Sequence, residues 1–313
     1  MSSAGATSNP AASFEPQRRR LLGLAYRMLG LMADAEDAVQ ETYLRWHAAD
    51  RDQVSDPRAF LMTTTTRICL DMLTSARARR EEYVGPWLPE PVLDTAALAP
   101  DNRTELAEDL SLALLLTLER LSPLERAAFL LHDVFDFSFS EVATTLERSE
   151  AACRQLAARA RAHVRAVRPR GTTPKPARSG EIDARHTQLM SAFVAATRSG
   201  DLNALTQLLA RDVRVVTDGG GKVAAALNVL EGADRAARFL VGATRKGWRE
   251  DLTLRFATIN GLPGVIVDGP EGPLQTTAFE IEGDVIRALY VVRNPDKLQH
   301  LGTASAPHES GPV

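Results

Sequence analysis

Residues 139–156 read FSEVATTLERSEAACRQL and predict a helix-turn-helix. In this interpretation Val142 and Leu146 are apolar positions of a short first helix, and a polar turn over residues 147–149 leads into a second helix. Ser149 is placed to cap the second helix, because a serine hydroxyl accepts hydrogen bonds from the free N–H groups of a first helical turn. The spacing therefore predicts a DNA-binding element in an all-α part of the chain.

Basic side chains follow on the second helix. Residues 151–180 contain eight Lys and Arg but neither Asp nor Glu. Arg154 and Gln155 are expected to reach base edges, whereas Arg159 and Arg161 are expected to meet phosphates. A basic helix that only faces solvent is the alternative interpretation, but the helix-turn-helix spacing favours DNA binding.

The composition limits the classes of protein to which the chain can belong. Of its 313 residues, 44% are hydrophobic and 25% are charged, which is ordinary for globular domains and argues against a disordered or fibrous chain. The formal net charge is −3, so any nucleic-acid site must be a local patch. Cys69 and Cys153 match no metal-binding spacing, and we expect a reducing compartment, no disulfide and no metal site. No apolar run approaches the ~20 residues of a membrane span, so we expect a cytoplasmic protein with no membrane partner.

Proline-rich segments and a change of periodicity divide the chain. Helical periodicity dominates up to about residue 168, and alternating β-rich runs appear only after it. The predicted divisions are a disordered tail (1–17), an all-α block (18–84), a Pro-rich linker (85–104), a second all-α block (105–168), a second linker (169–181), an α+β domain (182–300) and a disordered tail (301–313).

Two further charged patterns lie in the first all-α block. Asp34, Asp37 and Glu41 fall on one face of a predicted helix, while apolar residues face elsewhere. This acidic face suits a basic partner helix or is simply solvated, and the residues alone leave both interpretations open. The basic residues between Arg67 and Arg80 suit a surface that meets an anion, or they mark a frayed helix end.

Taken together, these features resemble an extracytoplasmic-function (ECF) sigma factor of bacterial RNA polymerase. The run DAEDAVQE at 34–41 matches the acidic polymerase-binding helix of sigma region 2, which residues 20–84 resemble. The runs LSPLER at 121–126 and AARAR at 157–161 open and close a segment, 105–168, that resembles sigma region 4. Three further runs resemble the subgroup with a fused C-terminal SnoaL-like domain: YVGPWLPEP at 83–91, DGGGK at 218–222 and NPDKL at 294–298.

The resemblance implies a multi-domain protein. Its parts are two all-α sigma domains, region 2 and region 4 with the helix-turn-helix, and a C-terminal α+β SnoaL/NTF2-like cone. The implied partners are core RNA polymerase, through its β′ clamp helices and β flap, and promoter DNA. No enzyme activity, cofactor or metal is implied, because the chemistry belongs to the polymerase. The implied polymerase-binding residues are Asp34, Asp37, Gln40 and Glu41.

The resemblance also assigns DNA-binding residues. Candidates for the −10 element are Arg67, Arg77, Arg79 and Arg80. Candidates for the −35 element are Ser149, Arg154, Gln155, Arg159 and Arg161. Arg67 departs from the family pattern, since most members carry asparagine at this place, four residues before Asp71.

The C-terminal domain admits more than one function. We expect a built-in regulator, in which the glycine turn and the NPDKL segment dock on the sigma domains or on the linker. A small ligand in the SnoaL-like pocket would shift the docked population if it bound one state better. The regulatory candidates are Trp87, Pro89, Glu90, Asp218, Gly219, Gly220, Gly221, Lys222, Asn294, Pro295, Asp296, Lys297 and Leu298. The alternatives are an isomerase, cyclase or small-molecule-binding module, for which Asp218 is the acidic candidate for the base, or an ordinary helix-turn-helix regulator that needs no polymerase.

Overall fold

In a computed structural model of the chain, the described residues are 10–81, 83–93, 98, 111–167 and 182–302. They belong to two compact units. One unit comprises residues 1–81 and 95–174, and the other comprises residues 82–94 and 175–313. Among the helices that the described residues form, none combines the length and apolar character that a bilayer crossing requires.

Helices make up the described part of the first unit. Before the proline-rich segment they are α1 (Pro10–Leu29), α2 (Met32–Ala48) and α3 (Pro57–Glu81). After it come α4 (Leu112–Leu118), α5 (Pro123–Phe129), a π-helical turn (Leu130–Val134), α6 (Phe139–Leu146) and α7 (Glu150–Val167). Helix α5 begins with a capping box, in which Ser122 and Glu125 each satisfy the other's backbone N–H.

Helix α1 begins earlier than the sequence predicts. Residues 10–17 were expected to belong to a disordered tail, but the helix starts at Pro10, where a proline costs no hydrogen bond. The Trp46 indole N–H donates to the Pro10 carbonyl at 3.0 Å, and Phe14 is buried. The burial of Phe14 and Trp46 therefore stabilises a helical turn that the sequence pattern of residues 10–17 does not predict.

The second unit is a six-stranded sheet with helices packed against it. Its helices are α8 (Ala184–Ser199), α9 (Leu202–Leu208) and α10 (Ala233–Gly247). Its strands are β1 (Leu209–Asp218), β2 (Leu230–Glu231), β3 (Thr253–Ile259), β4 (Leu262–Gly269), β5 (Gly272–Glu282) and β6 (Val285–Val292). The strand order is β2-β1-β6-β5-β4-β3, with β1 and β6 parallel and the other pairs antiparallel. Phe193, Phe279 and Leu289 lie in the apolar core between helices and sheet.

The expected linker, 85–104, is divided between the two units. Helix α3 ends at Glu81, and residues 83–93 belong to the second unit. The prediction that Tyr83 and Val84 belong to the first helical block is therefore wrong. Leu98 is buried in the first unit, where its carbonyl accepts a hydrogen bond from Arg27 Nη1 at 3.2 Å. The described part of this segment is therefore held by hydrogen bonds and burial, which a proline-rich composition does not reveal.

Candidate promoter, polymerase and linker-docking sites

Helices α6 and α7 form the predicted helix-turn-helix. Glu147 ends α6 in the left-handed conformation, with φ 54°, and Ser149 Oγ accepts a hydrogen bond from the Ala152 N–H at 3.3 Å. Val142 and Cys153 are buried between the two helices. Burial raises the pKa of the Cys153 thiol, so this cysteine serves as a core residue.

The exposed side of α7 carries the residues predicted to meet the −35 element. Arg154 and Gln155 are exposed. The Arg154 guanidinium lies 2.6 Å from a Glu150 carboxylate oxygen and 5.3 Å from the centre of the Phe139 ring. Neighbouring side chains therefore orient Arg154, whereas Gln155 faces solvent.

The two arginines predicted to contact phosphates have carboxylate partners within the unit. Arg159 Nε donates to Glu125 at 2.7 Å, and Arg161 Nε donates to Asp133 at 2.6 Å. Desolvation acts to raise the pKa of Glu125, but hydrogen bonds from Arg159 and Ser122 outweigh it and hold that pKa below its usual value. DNA phosphates would have to compete with these carboxylates.

Arg67, a candidate for the −10 element, is bound to the end of α6. Its guanidinium donates to the carbonyls of Thr144 at 3.0 Å and Thr145 at 3.1 Å, and it lies 3.1 Å from a Glu147 carboxylate oxygen. The Thr63 hydroxyl lies 2.9 Å from the Thr145 hydroxyl. The other −10 candidates are Arg77, Arg79 and Arg80. They lie in the last turns of α3, and their side chains are outside the described part of the structure.

Further contacts hold α1–α3 against α4–α7 within the first unit. Arg20 Nη2 donates to the Phe135 carbonyl at 2.8 Å, and its guanidinium lies 5.4 Å from the centre of the Phe135 ring. Arg58 donates to the same carbonyl at 3.3 Å, and Arg126 Nη1 donates to the Met28 carbonyl. The two helical blocks are thus closed on each other.

The acidic face of α2 is open to solvent. Ala35, Ala38 and Val39 are buried on the opposite side of the helix. Asp37 and Gln40 are exposed, and Asp34 and Glu41 are partly exposed. Arg45 Nε donates to Glu41 at 2.8 Å. Leu44, which the sequence analysis missed, follows Asp37 and Gln40 on this face and is 54% exposed.

A buried ion pair joins the glycine turn, the NPDKL segment and the linker in the second unit. Lys297 Nζ donates to Asp218 Oδ2 at 2.8 Å, and the Leu88 N–H donates to the same oxygen at 2.8 Å. The Tyr83 hydroxyl donates to Asp218 Oδ1 at 2.5 Å, and the Gly220 N–H donates to it at 3.1 Å. Both carboxylate oxygens therefore have two donors.

Lys297 is enclosed by the linker. Its ammonium donates to the Leu88 carbonyl at 2.6 Å and lies 4.2 Å from the centre of the Trp87 ring and 5.1 Å from that of Tyr83. These contacts offset the cost of burying the charge. Desolvation, and next the hydrogen bond to Asp218, raise the pKa of the Tyr83 hydroxyl.

The glycine turn leaves room for Asn294. Gly220 has φ 60° and Gly221 has φ 71°, conformations that favour glycine. A Cβ on Gly220 would lie 2.3 Å from Asn294 Nδ2, which itself donates to the Tyr83 hydroxyl at 3.0 Å. The Asn294 N–H also donates to the Asp218 carbonyl at 3.0 Å. Two motifs that are distant in sequence thus meet at one site.

The rest of the linker is held by residues that the sequence analysis missed. Asn260 and Val92 exchange two hydrogen bonds, from the Asn260 N–H to the Val92 carbonyl at 2.9 Å and from the Val92 N–H to Asn260 Oδ1 at 3.2 Å. His300 Nε2 lies 2.7 Å from the Pro91 carbonyl, and its Nδ1 lies 2.7 Å from a Glu90 carboxylate oxygen.

The remaining regulatory candidates lie at the edge of this site. Lys222 and Asp296 form an exposed ion pair, Leu298 is buried, and Pro295 begins a short 3₁₀ turn. Gly219 packs tightly, because a Cβ there would lie 2.4 Å from the Val223 carbonyl oxygen. Pro89 lies in the docked segment and is buried.

Known proteins resemble the chain over most of its length. The family described as "Sigma-70 region 2" matches residues 14–79, and "Sigma-70, region 4" matches residues 111–164. The "ECF RNA polymerase sigma factor SigJ" of Mycobacterium tuberculosis is 40% identical over 297 residues, covering 91% of this chain and 92% of the relative. The chain belongs to the ECF sigma factors.

Two further comparisons agree with this membership. The crystal structure of the M. tuberculosis ECF sigma factor SigJ aligns with a TM-score of 0.66 and 36% identity, covering 92% of this chain and 97% of that one. The "Probable ECF RNA polymerase sigma factor SigI" of M. tuberculosis is 31% identical over 294 residues, covering 93% of this chain and 95% of the relative. The predicted fold class is confirmed: helical sigma regions 2 and 4 precede a C-terminal SnoaL/NTF2-like domain.

Membership assigns a function to the helical unit. This ECF sigma factor binds core RNA polymerase and promoter DNA and directs transcription, as the sequence analysis predicted. Helices α1–α3 fall within or overlap the region 2 match, and α4–α7 fall within or overlap the region 4 match.

Proposed function

We propose that the SnoaL-like domain regulates this ECF sigma factor by holding the interdomain linker. The observation that carries the proposal is the buried Asp218–Lys297 pair, whose remaining hydrogen bonds go largely to linker residues 83 and 88. A tethered domain docks at an effective concentration in the millimolar range, so this contact can form without high intrinsic affinity.

Docking limits the reach of the connection between regions 2 and 4. Residues 83–93 could extend by up to about 36 Å if they were free, at about 3.3 Å per residue. When these residues are held on the SnoaL-like domain, their end-to-end distance is fixed, and the connection between regions 2 and 4 cannot lengthen there. Promoter elements named −10 and −35 lie far apart on the duplex, so region 2 and region 4 must separate to engage both. Docking is therefore proposed to favour the restrained form of the factor.

The test is run-off transcription with core polymerase and the full chain. Lys297→Met removes the charge that holds Leu88 and Asp218, and we expect it to raise promoter output. Lys222→Met is the matched control, because Lys222 pairs with Asp296 on the exposed edge of the same site. Equal output from Lys297→Met and the unaltered chain, with residues 83–93 shown to be released, would contradict the proposal.

A catalytic role for the SnoaL-like domain has less support. Asp218 would be its general base, but this carboxylate already accepts hydrogen bonds from Tyr83, Leu88, Gly220 and Lys297. A general base needs access to a substrate proton. We therefore propose that the domain acts by docking and that the whole protein is not an enzyme.

We further propose that the exposed face of α2 contacts the β′ clamp helices, with region 4 contacting the β flap. Asp37, Gln40 and Glu41 supply charge and hydrogen-bonding groups, and exposed Leu44 supplies an apolar anchor on the same face. Charge complementarity sets orientation and association rate, while an apolar contact lengthens the lifetime of a complex.

Binding of fluorescent core polymerase to the full chain tests this assignment. Asp34→Lys with Asp37→Lys should slow association, and Leu44→Ser should speed dissociation. Asp52→Lys is the control, because Asp52 is an exposed acid in the short turn after α2. If Asp52→Lys weakened binding as strongly as the paired change on α2, the effect would be net charge and not a specific contact.

For promoter DNA we propose that Gln155 and Arg154 read the −35 element, with Ser149 fixing the start of the recognition helix. Arg159 and Arg161 would contact phosphates after leaving Glu125 and Asp133, and Arg67, Arg77, Arg79 and Arg80 would serve the −10 region. Gln155→Ala should change the preferred −35 sequence in a promoter library, because base contacts specify sequence. Arg165→Ala, further along the same helix, should leave that preference unchanged.

A further inference from the structure

The second unit has a cavity that shares no residue with the linker-docking site. It lies between the C-terminal ends of α8 and α10, is open to solvent and has a volume of about 560 Å³. It is lined by Ala195, Arg198, Ser199, Thr244, Arg245 and Trp248. All six residues come from the helices or the residue that follows α10, so the cavity is not the interior of the cone.

One guanidinium in the cavity is held in place by an aromatic ring. The centre of the Arg198 guanidinium lies 4.2 Å from the centre of the Trp248 ring. This cation–π contact orients the guanidinium, and among the described residues none accepts a hydrogen bond from its N–H groups. An arginine oriented in this way loses less conformational entropy when it binds an anion.

The cavity concentrates positive charge that has no acidic partner. Elsewhere in this unit, basic side chains commonly pair with carboxylates, as in Arg185–Asp284, Arg238–Asp234, Arg249–Asp251, Arg255–Asp268 and Arg287–Asp212. Within the described ranges, neither Arg198 nor Arg245 forms an ion pair, and no lining residue is acidic. Thr244 adds a hydroxyl beside the two guanidiniums, whereas the Ser199 hydroxyl donates to the Ala196 carbonyl at 3.2 Å.

We propose that this cavity binds a small organic phosphate monoester. The phosphate dianion would lie between Arg198 and Arg245, since two guanidiniums match its charge and can each form charge-assisted hydrogen bonds. The organic part would rest against Ala195 and the partly exposed Trp248 side chain. The volume of about 560 Å³ is in the range of small-molecule sites, so the cavity has room for an organic group beside the phosphate.

Isothermal titration calorimetry of the full chain tests the proposal with three probes: phenyl phosphate, inorganic phosphate and phenol. Phenyl phosphate should bind saturably with a stoichiometry of one, inorganic phosphate should bind more weakly, and phenol should not bind. Arg198→Gln and Arg245→Gln should each weaken phenyl phosphate binding about tenfold or more, the usual effect of losing a charged hydrogen bond.

Arg235→Gln is the matched control, because Arg235 is an exposed arginine of α10 outside the cavity. It should leave the affinity for phenyl phosphate unchanged, and thermal unfolding should show all three variants folded. Three results would each overturn the proposal: no saturable binding of phenyl phosphate, equal affinity for inorganic phosphate and phenyl phosphate, or equal loss of affinity in Arg235→Gln.

Discussion

Asp218 and Lys297 form an ion pair that is almost completely removed from water, with side-chain exposures of 0% and 4%. A buried charge pair contributes little net stability when it is intact, but loss of one partner leaves the other charge uncompensated. The exposed Lys222–Asp296 pair a short distance along the same two motifs, 54% exposed on both sides, lacks this property. The two pairs therefore separate the effect of burial from that of ion pairing.

Replacing Lys297 with methionine should destabilise the second unit by about 3–5 kcal/mol, because Asp218 would remain buried without its counter-ion. Lys222→Met should cost about 0–1 kcal/mol. Urea unfolding measures both. The double variant Asp218→Asn with Lys297→Met should cost less than the sum of its single changes, because neither remaining side chain is charged. A fully additive double variant would mean that the two charges act separately.

The hydroxyl of Tyr83 makes docking sensitive to alkaline pH. Its pKa is raised in the folded protein, first by desolvation and then by the hydrogen bond to Asp218, whereas an unfolded tyrosine ionises near pH 10. The contribution of Tyr83 is therefore fully present below pH 10 and is lost as the pH rises toward its folded pKa. Above pH 10, tyrosinate absorbance should show one fewer group that resists ionisation in Tyr83→Phe than in the unaltered chain. If Tyr83 titrated near pH 10 in the folded chain, the hydrogen bond would not form in solution.

The end of α6 lies against α3, and Arg67 makes most of the polar contacts that the described residues form between them. Most family members carry asparagine at this position. Arginine is explained here by its guanidinium, which contacts two carbonyls and a carboxylate at once. The same side chain cannot serve promoter DNA while it holds α6. Closure of the two helical blocks and −10 binding by Arg67 therefore exclude each other.

Arg67→Ala should lower the free energy that holds α6 against α3 by about 1.5–3 kcal/mol, the range for hydrogen bonds to a charged group. Hydrogen exchange should become faster in α6 and in the residues of α3 around Thr63. Arg18→Ala is a suitable control, because Arg18 pairs with Glu15 at 3.8 Å on an exposed helix face. Unchanged exchange in α6 would show that the apolar contacts alone hold the two blocks together.

Elements with strong local signals were predictable from the sequence. The helix-turn-helix, the helix start at Ser122 and the long strands depend on periodicity and capping, which nearby residues determine. Strand β2 was missed because two residues carry no periodicity, and it exists only by pairing with β1 at Arg214 and Val215. The early start of α1 was missed because burial of Phe14 and the bond to Trp46 are tertiary effects.

The candidate sites were predictable only in part, for a related reason. Motif resemblance singled out Asp218 and Lys297, but not the hydrogen bond from Tyr83 to Asp218, which joins residues 135 positions apart. The carboxylate partners of Arg159 and Arg161 were also missed, because ion pairs between distant segments leave no pattern in a single sequence. Sequence patterns thus identified charged groups, while the structure showed which charges are already used.

Charge is segregated along the whole molecule in a way that suits two kinds of partner. The net charge is only −3, yet residues 151–180 carry eight basic residues without an acid, and residues 34–41 carry four acids without a base. A basic helix is attracted to DNA phosphates, and an acidic helix is attracted to a basic protein surface. Because the net charge is close to zero, the molecule as a whole attracts neither kind of partner strongly, and each charged helix can orient its own partner.

All candidate DNA-reading residues precede residue 181, so a chain limited to residues 1–180 should select the same promoters as the full chain. Sequence preference arises from base contacts, which removal of the SnoaL-like domain leaves in place. The level of transcription should differ between the two chains, because only the full chain can hold the linker. Run-off transcription with core polymerase on a promoter library measures both quantities at once. A changed ranking of promoters would mean that the SnoaL-like domain takes part in reading DNA, and unchanged levels would remove the case for regulation by docking.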